Sequence, residues 1–156
     1  GNVPAYAVIK AEVEVVSIQS PADQITSMQT LYGFSAPEKT TSGLVFQKTL
    51  ENPAGAAILT GQLVKVNYTG RLGYGYIQTD ATNKVVYDSK FGSGTLTFTA
   101  GAGQLIAGFE EAALKLKVGE KGKAILPYTI AYGTAGNSTI PGYSPLYFEI
   151  EVVSAQ

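Results

Sequence analysis

The chain has 156 residues and a formal net charge of −1, from 11 basic and 12 acidic side chains. That length suits one well-packed core with an appendage, and scattered basic residues on a near-neutral chain offer no field for nucleic acid or anionic lipid. Histidine and cysteine are absent, which removes histidine bases, cysteine nucleophiles, disulfides and the usual zinc sites, and no cofactor or metal is expected.

No apolar run approaches the roughly 20 residues of a transmembrane helix. No signal peptide is visible, and Gly1 looks like a residue left by tag removal, so the chain reads as a trimmed mature protein or an excised domain. Few charges, many Thr, Ser, Gly and Tyr, and no cysteine suit a periplasmic or cell-envelope protein. A lipid anchor ahead of Gly1 and a cytoplasmic location both stay open.

Pro4 to Gln19, PAYAVIKAEVEVVSIQ, lies over Pro141 to Gln156, PGYSPLYFEIEVVSAQ, with eight of sixteen pairs identical. Either an ancestor held two similar units in tandem and this chain begins with the last strand of the first, or two Glu/Val strands share a composition. A strand without its domain would pair with a sheet edge or another chain, which leaves self-association through it open. Ser20 to Gly33 then predicts a short helix, with Ser20 as N-cap, Pro21 in the first turn and Gly33 as the stop. Its apolar stripe is Ile25, Met28, Leu31 and Tyr32, at a spacing that suits ordinary packing.

Residues 42–50 predict a strand, and Asn52 to Gly61 a loop rich in Pro, Gly and Ala. Val64, Val66 and Tyr68 alternate with Lys65, Asn67 and Thr69, the pattern of a half-buried strand. Gly70 to Ser89 reads as two extended strands around a turn near Asp80 to Asn83. Tyr74, Tyr76 and Ile77 on this arm either pack on the sheet or present a partner surface. Leu96 and Phe98 mark another strand.

The clearest helical stretch follows. Leu105, Ile106, Phe109, Ala112, Ala113 and Leu116 form one apolar stripe, with Glu110, Glu111, Lys115 and Lys117 expected to face away, giving a helix over Leu105 to Leu116. Gly119 is expected to end it in a left-handed conformation. Lys123 to Leu126 predicts a strand, and AYG, residues 131–133, a turn. Leu146, Phe148, Ile150 and Val152 then alternate with Tyr147, Glu149, Glu151 and Val153 in a last antiparallel strand.

Several motifs agree in type, order and spacing with one family: VKVNYTGRL from Val64, VYDS from Val86, LTF from Leu96, GQLIAGFEEAALKLKVGEKGKAILPYTIAYG ending at Gly133, and IPGYSPLYFEIEVV from Ile140 to Val153. Over about Ser42 to Ser154 the chain resembles the FKBP-type peptidyl-prolyl cis-trans isomerases. The resemblance implies an α+β fold, a twisted antiparallel β-sheet wrapped around one short α-helix, over residues 42–156. Residues 1–41 would form an N-terminal strand-plus-helix extension.

It also implies a site. Tyr68, Tyr87, Phe98, Leu105, Ile106, Phe109 and Phe148 match positions that line the family's proline pocket, with Phe109 as the floor. Tyr132 would offer its hydroxyl to a substrate carbonyl, Asp88 would sit at the rim, and Ile140 would close one wall. The N–H of Ile106, at the start of the helix, would donate to the carbonyl preceding the proline ring. Phe98, Leu105, Phe109 and Phe148 also suit a plain core, Ile106 simple packing, and Asp88 with Ser89 a turn. Tyr132 has the fewest structural alternatives, because AYG serves no strand.

Rotation about an Xaa–Pro bond needs neither nucleophile nor metal. Its barrier, about 20 kcal/mol, is loss of amide resonance. The twisted amide is less dipolar than the planar one, so a dry aromatic pocket favours it. By resemblance the partners are proline-containing segments of folding proteins, and macrolide inhibitor binding stays open. The chain departs from the family at the floor, usually Trp and here Phe109, at Tyr87 and Leu96, commonly Phe, and in a slightly short loop from Gly136 to Ile140. A proline-peptide binding or chaperone-like module with little turnover is the alternative, since one fold hosts several functions.

Overall fold

A computed structural model describes residues 19–79 and 85–156, and the side chains of 19–73 and 90–156. Helix α1 (Pro21–Leu31) is followed by β1 (Glu38–Lys39), β2 (Val45–Leu50), β3 (Leu63–Thr79) and β4 (Val85–Thr99). Then come α2 (Ala107–Leu114), β5 (Lys121–Leu126), a 3-10 turn (Tyr128–Ile130) and β6 (Leu146–Ala155). The strands make one antiparallel sheet in the order β1-β2-β5-β6-β3-β4, so the class is α+β as expected. The N-terminal stretch expected as a strand, to residue 18, and the turn near Asp80 to Asn83 lie outside the described residues.

Alternation along β6 divides the molecule into two cores. Leu146, Phe148, Ile150 and Val152 point to the inner face, where they meet Val64 and Val66 of β3, Phe98 of β4, and Phe109, Ala112 and Ala113 of α2. Each of the larger aliphatic and aromatic side chains among them contributes about 1.5–3 kcal/mol by its burial. Tyr147 points the other way and was expected on the polar face. It is only 3% exposed, because α1 covers that end of the sheet. Its ring stacks on Tyr32 at 3.7 Å and meets Phe34 edge-on. Burial, then the Glu149 carboxylate that accepts its O–H at 2.9 Å, push the phenol above its ordinary pKa.

Helix α1 begins as predicted. The Ser20 hydroxyl accepts the Asp23 N–H and the Asp23 carboxylate accepts the Ser20 N–H, a reciprocal cap. Lys123 holds its other end, donating to the carbonyls of Tyr32 and Gly33 at 3.0 and 2.7 Å. Met28 is buried, but Leu31, expected on the same stripe, is 61% exposed. The packed side of the helix turns instead through Ile25, Met28 and Tyr32, with Phe34 beyond its end.

Two expectations for α2 are corrected. The helix spans Ala107–Leu114 rather than Leu105 to Leu116, because Ile106 has extended backbone (φ −59, ψ 137) and Lys115 is the C-cap. Gly119 is left-handed (φ 84) but stands in the later turn before β5. There Glu120 is buried, pairs with Lys48 at 2.8 Å, and accepts the N–H groups of Lys117 and Asn52. The carboxylate thus clamps the Asn52 loop to β2 and β5.

The β3–β4 hairpin is as long as expected. Its register runs from Leu63↔Thr99 to Thr79↔Val85, with irregularities after Gly70 and between Arg71 and Tyr76. Strand β3 pairs with β6 only as far as Leu72, so the hairpin continues past the rest of the sheet. The side chains of Tyr74, Tyr76 and Ile77 lie outside the described residues.

Candidate active site

Phe109, in the first turn of α2, meets the Phe148 ring of β6 at 5.0 Å and 84° and the Tyr68 ring of β3 at 5.8 Å and 89°. Tyr68 and Phe148 are 6.3 Å apart. Phe91 of β4 closes the group, edge-on to Phe148 at 5.6 Å. Each perpendicular contact sets a positive ring edge against a negative face, adding about 0.5–1.5 kcal/mol beyond burial. Phe109 and Phe148 are almost fully buried, while Tyr68 and Phe91 are partly open.

Phe91 is a ring that sequence reasoning missed. It lies over Gly70, where a Cβ would come within 2.5 Å of the Phe91 ring and 2.8 Å of Phe148. The signal was present as Gly70 opposite Gly92 beside an aromatic residue, a pairing only the strand register reveals.

A second glycine sets the helix. A Cβ on Gly108 would fall 2.6 Å from Leu126 Cγ and 2.8 Å from Ile130 Cδ1. Its bare backbone therefore lets the start of α2 press against β5 and the 3-10 turn. The loop before the helix is fastened as well: Gln104 accepts the Thr99 N–H, and Glu110 accepts the Gly101 N–H. Glu110 was expected to face away; this hydrogen bond keeps it 8% exposed instead.

Leu105 and Ile106 precede the helix and pack, partly buried, on the inner core. The Ile106 carbonyl accepts from Phe109 and Glu110 at 3.0 and 3.2 Å, whereas its N–H has no acceptor among the described residues. That is an unsatisfied donor at a helix start, the kind that serves a ligand carbonyl. Phe98 and Ile140 are each 2% exposed and belong to the same core. Tyr132 stands beyond the 3-10 turn, 37% exposed. Asp88 and Tyr87 lie on β4 opposite Tyr76 and Ile77, and their side chains are outside the described residues.

A cleft of about 490 Å³ opens on the opposite face of the sheet, beside Tyr32 and Tyr147. Its carboxylates are engaged locally: Glu151 with Lys121 at 3.3 Å and Asn67 at 3.2 Å, Glu149 with Tyr147. Of the residues expected at the site, only the Tyr68 position borders this cleft.

A family model described as FKBP-type peptidyl-prolyl cis-trans isomerase matches residues 55–153. The chain is 37% identical over 117 residues to a macrophage infectivity potentiator of Trypanosoma cruzi, covering 74% of this chain and 55% of that protein. It is 34% identical over 123 residues to FK506-binding protein 2 of Candida glabrata, covering 76% of this chain and 85% of the relative. It thus spans only about half the length of the first relative. Among solved structures, FkpA of Escherichia coli superposes with a TM-score of 0.67 at 26% identity, covering 86% of this chain and 58% of that one. AtFKBP13 gives a TM-score of 0.63 at 27% identity, covering 78% of this chain and 100% of its own. With a family model matching well over half of its length, the chain belongs to the FKBP-type peptidyl-prolyl cis-trans isomerases.

Proposed function

We propose that the inner-face ring cluster is a catalytic pocket that accelerates rotation about Xaa–Pro bonds in folding proteins. The observation that carries this reading is the pairing of an aromatic floor with a free donor. Phe109 is held edge-on by Tyr68 and Phe148, and three residues earlier the Ile106 N–H has no acceptor among the described residues. A proline ring on Phe109 would place the preceding carbonyl within reach of that N–H. The apolar surround favours the less dipolar, twisted amide, so transition-state binding supplies the rate without a proton or a nucleophile.

In this reading Tyr68, Phe91 and Phe148 form the walls, Leu105 and Ile106 the helix-side lip, and Phe98 and Ile140 the backing. Tyr132 supplies a rim hydroxyl, and Tyr87 and Asp88 stand on the hairpin side. Proline-containing segments are the substrates. Binding of a macrolide such as the one the Candida glabrata relative is named for belongs to the same proposal. An envelope location rests on the low charge and absence of cysteine alone, and fractionation of the source cell tests it.

A protease-coupled assay on Ala-Xaa-Pro-Phe peptides tests the activity. Turnover well above the uncatalysed rate, reduced at least tenfold in Phe109→Leu, supports the catalytic reading. A folded protein that binds such peptides with no rate enhancement assigns the pocket to capture of prolyl segments instead.

A further inference from the structure

One residue in the loop between Tyr132 and β6 carries a conformation its side chain disfavours. Tyr143 has φ 61 and is the only non-glycine with positive φ among the described residues. Aromatic residues rarely adopt this region, because Cβ crowds the following carbonyl. Gly, Asn or Asp would be the easy choices there. The conformation is built in from both sides. The Tyr143 N–H donates to the carbonyl of Gly133 at 2.9 Å, next to Tyr132, and three residues earlier Ile140 is locked into the core. Within that loop the Asn137 side chain accepts the N–H groups of Thr139 and Ile140 at 2.8 and 2.7 Å.

The consequence is an outward ring. Tyr143 is 55% exposed, yet its ring rests against Tyr128 at 5.2 Å and 54°. Tyr128 opens the 3-10 turn whose Ile130 abuts Gly108 at the start of α2. The pair therefore stands on the short module that carries Tyr132 and reaches the helix terminus of the site.

We infer that Tyr143, propped by Tyr128, is a specificity-determining residue: an aromatic shelf outside the proline pocket that stacks a large side chain of the substrate next to the proline. This rests on the isomerase reading above. The Tyr143 backbone is tied to Gly133, next to Tyr132, and its ring already rests on Tyr128, so a substrate side chain stacking there would require little further ordering. The ring acts by its face, and the hydroxyl is dispensable.

The test compares kcat/KM for Ala-Ala-Pro-Phe and Ala-Ala-Pro-Gly peptides, measured by exchange spectroscopy so that no protease preference enters. Wild type should favour the Phe peptide by about three- to tenfold. Tyr143→Gly and Tyr143→Asn both accept a positive φ and keep the loop. Both should lose that preference while leaving the rate on the Gly peptide within twofold, and Tyr143→Phe should retain it. An active wild type with no preference, or a preference that survives in both the Gly and Asn variants, overturns the shelf and leaves the isomerase reading intact. Loss in the Gly variant alone traces the effect to loop rigidity and also overturns it. A wild type inactive on both peptides removes the reading on which the shelf rests.

Discussion

At the scale of single residues, Phe109 and Gly108 make the sharpest demands. Phe109 is both floor and core, so its removal disturbs packing and chemistry together. Phe109→Leu keeps most of the volume and should cost about 1–2 kcal/mol in denaturant unfolding, against a tenfold or greater loss in kcat/KM. A loss of activity no larger than the loss of folded protein would demote Phe109 to a core residue. Gly108→Ala runs against helix propensity, where Ala is the better residue by about 1 kcal/mol. The added methyl meets Leu126 at 2.6 Å, and overpacking of this kind costs about 1–3 kcal/mol. We expect a lower midpoint of unfolding; a stabilised variant would show that α2 has room to shift.

The same two residues show what could be read from the chain. Phe109 stands on a periodic apolar stripe, and the motif resemblance marks it as the floor. Gly108 gave no such sign, and the one for Phe91, Gly70 opposite Gly92, emerges only with the strand register, because a close approach is a property of two elements and neither one announces it. Glu110 was misread for a related reason: periodicity assigns it to the solvent face, and only the folded loop brings the Gly101 N–H to its carboxylate.

At the scale of elements, the Asn52 loop, β2 and β5 are joined through Glu120. Burial works to raise the pKa of this carboxyl. Hydrogen bonds from Lys48 and from the Lys117 and Asn52 N–H groups, with the Lys48 charge, outweigh burial and hold it below the ordinary 4.5. A depressed native pKa means the charged form stabilises the fold. That stability is fully present above pH 4.5 and is lost as pH falls through the lower native value. Glu120→Gln keeps the shape but loses the charge and should cost about 1–3 kcal/mol at pH 7. Its deficit should shrink on acidification below pH 4.5. A deficit constant with pH would mean that shape, and not ionisation, is what the clamp needs.

Strand alternation was legible in β3 from Val64 to Leu72 and in β6 from Leu146 to Val152 because one face of each is mostly buried over those residues. The ends of α2 were not, since Leu105 and Ile106 continue the apolar stripe while the backbone there is still extended. The period records which side faces the core, and says little about where the hydrogen-bonded turns begin.

At the scale of the molecule, α2 packs on the inner face of the sheet and α1 covers one end of the outer face, around Tyr147. Tyr147 looked solvent-facing because alternation cannot reveal a second layer. Helix α1 was legible, but its docking through Met28 and Tyr32 was not. Met28→Ala should therefore destabilise the whole domain, by about 2–4 kcal/mol in equilibrium unfolding. Its kcat/KM on prolyl peptides should stay within twofold, because the outer core does not touch the ring cluster. A large catalytic defect at full folding would show that the outer layer shapes the pocket.

The claim on which all of this rests is that the inner-face rings lower the barrier to prolyl rotation. Two-dimensional exchange spectroscopy on a proline-containing peptide, with and without the folded protein, measures that barrier with no coupling enzyme. The account predicts cis–trans exchange accelerated from tens of seconds to well under a second at micromolar protein, with most of the gain lost in Phe109→Leu. Exchange at the rate of the peptide alone, in the presence of protein shown to be folded, would contradict it.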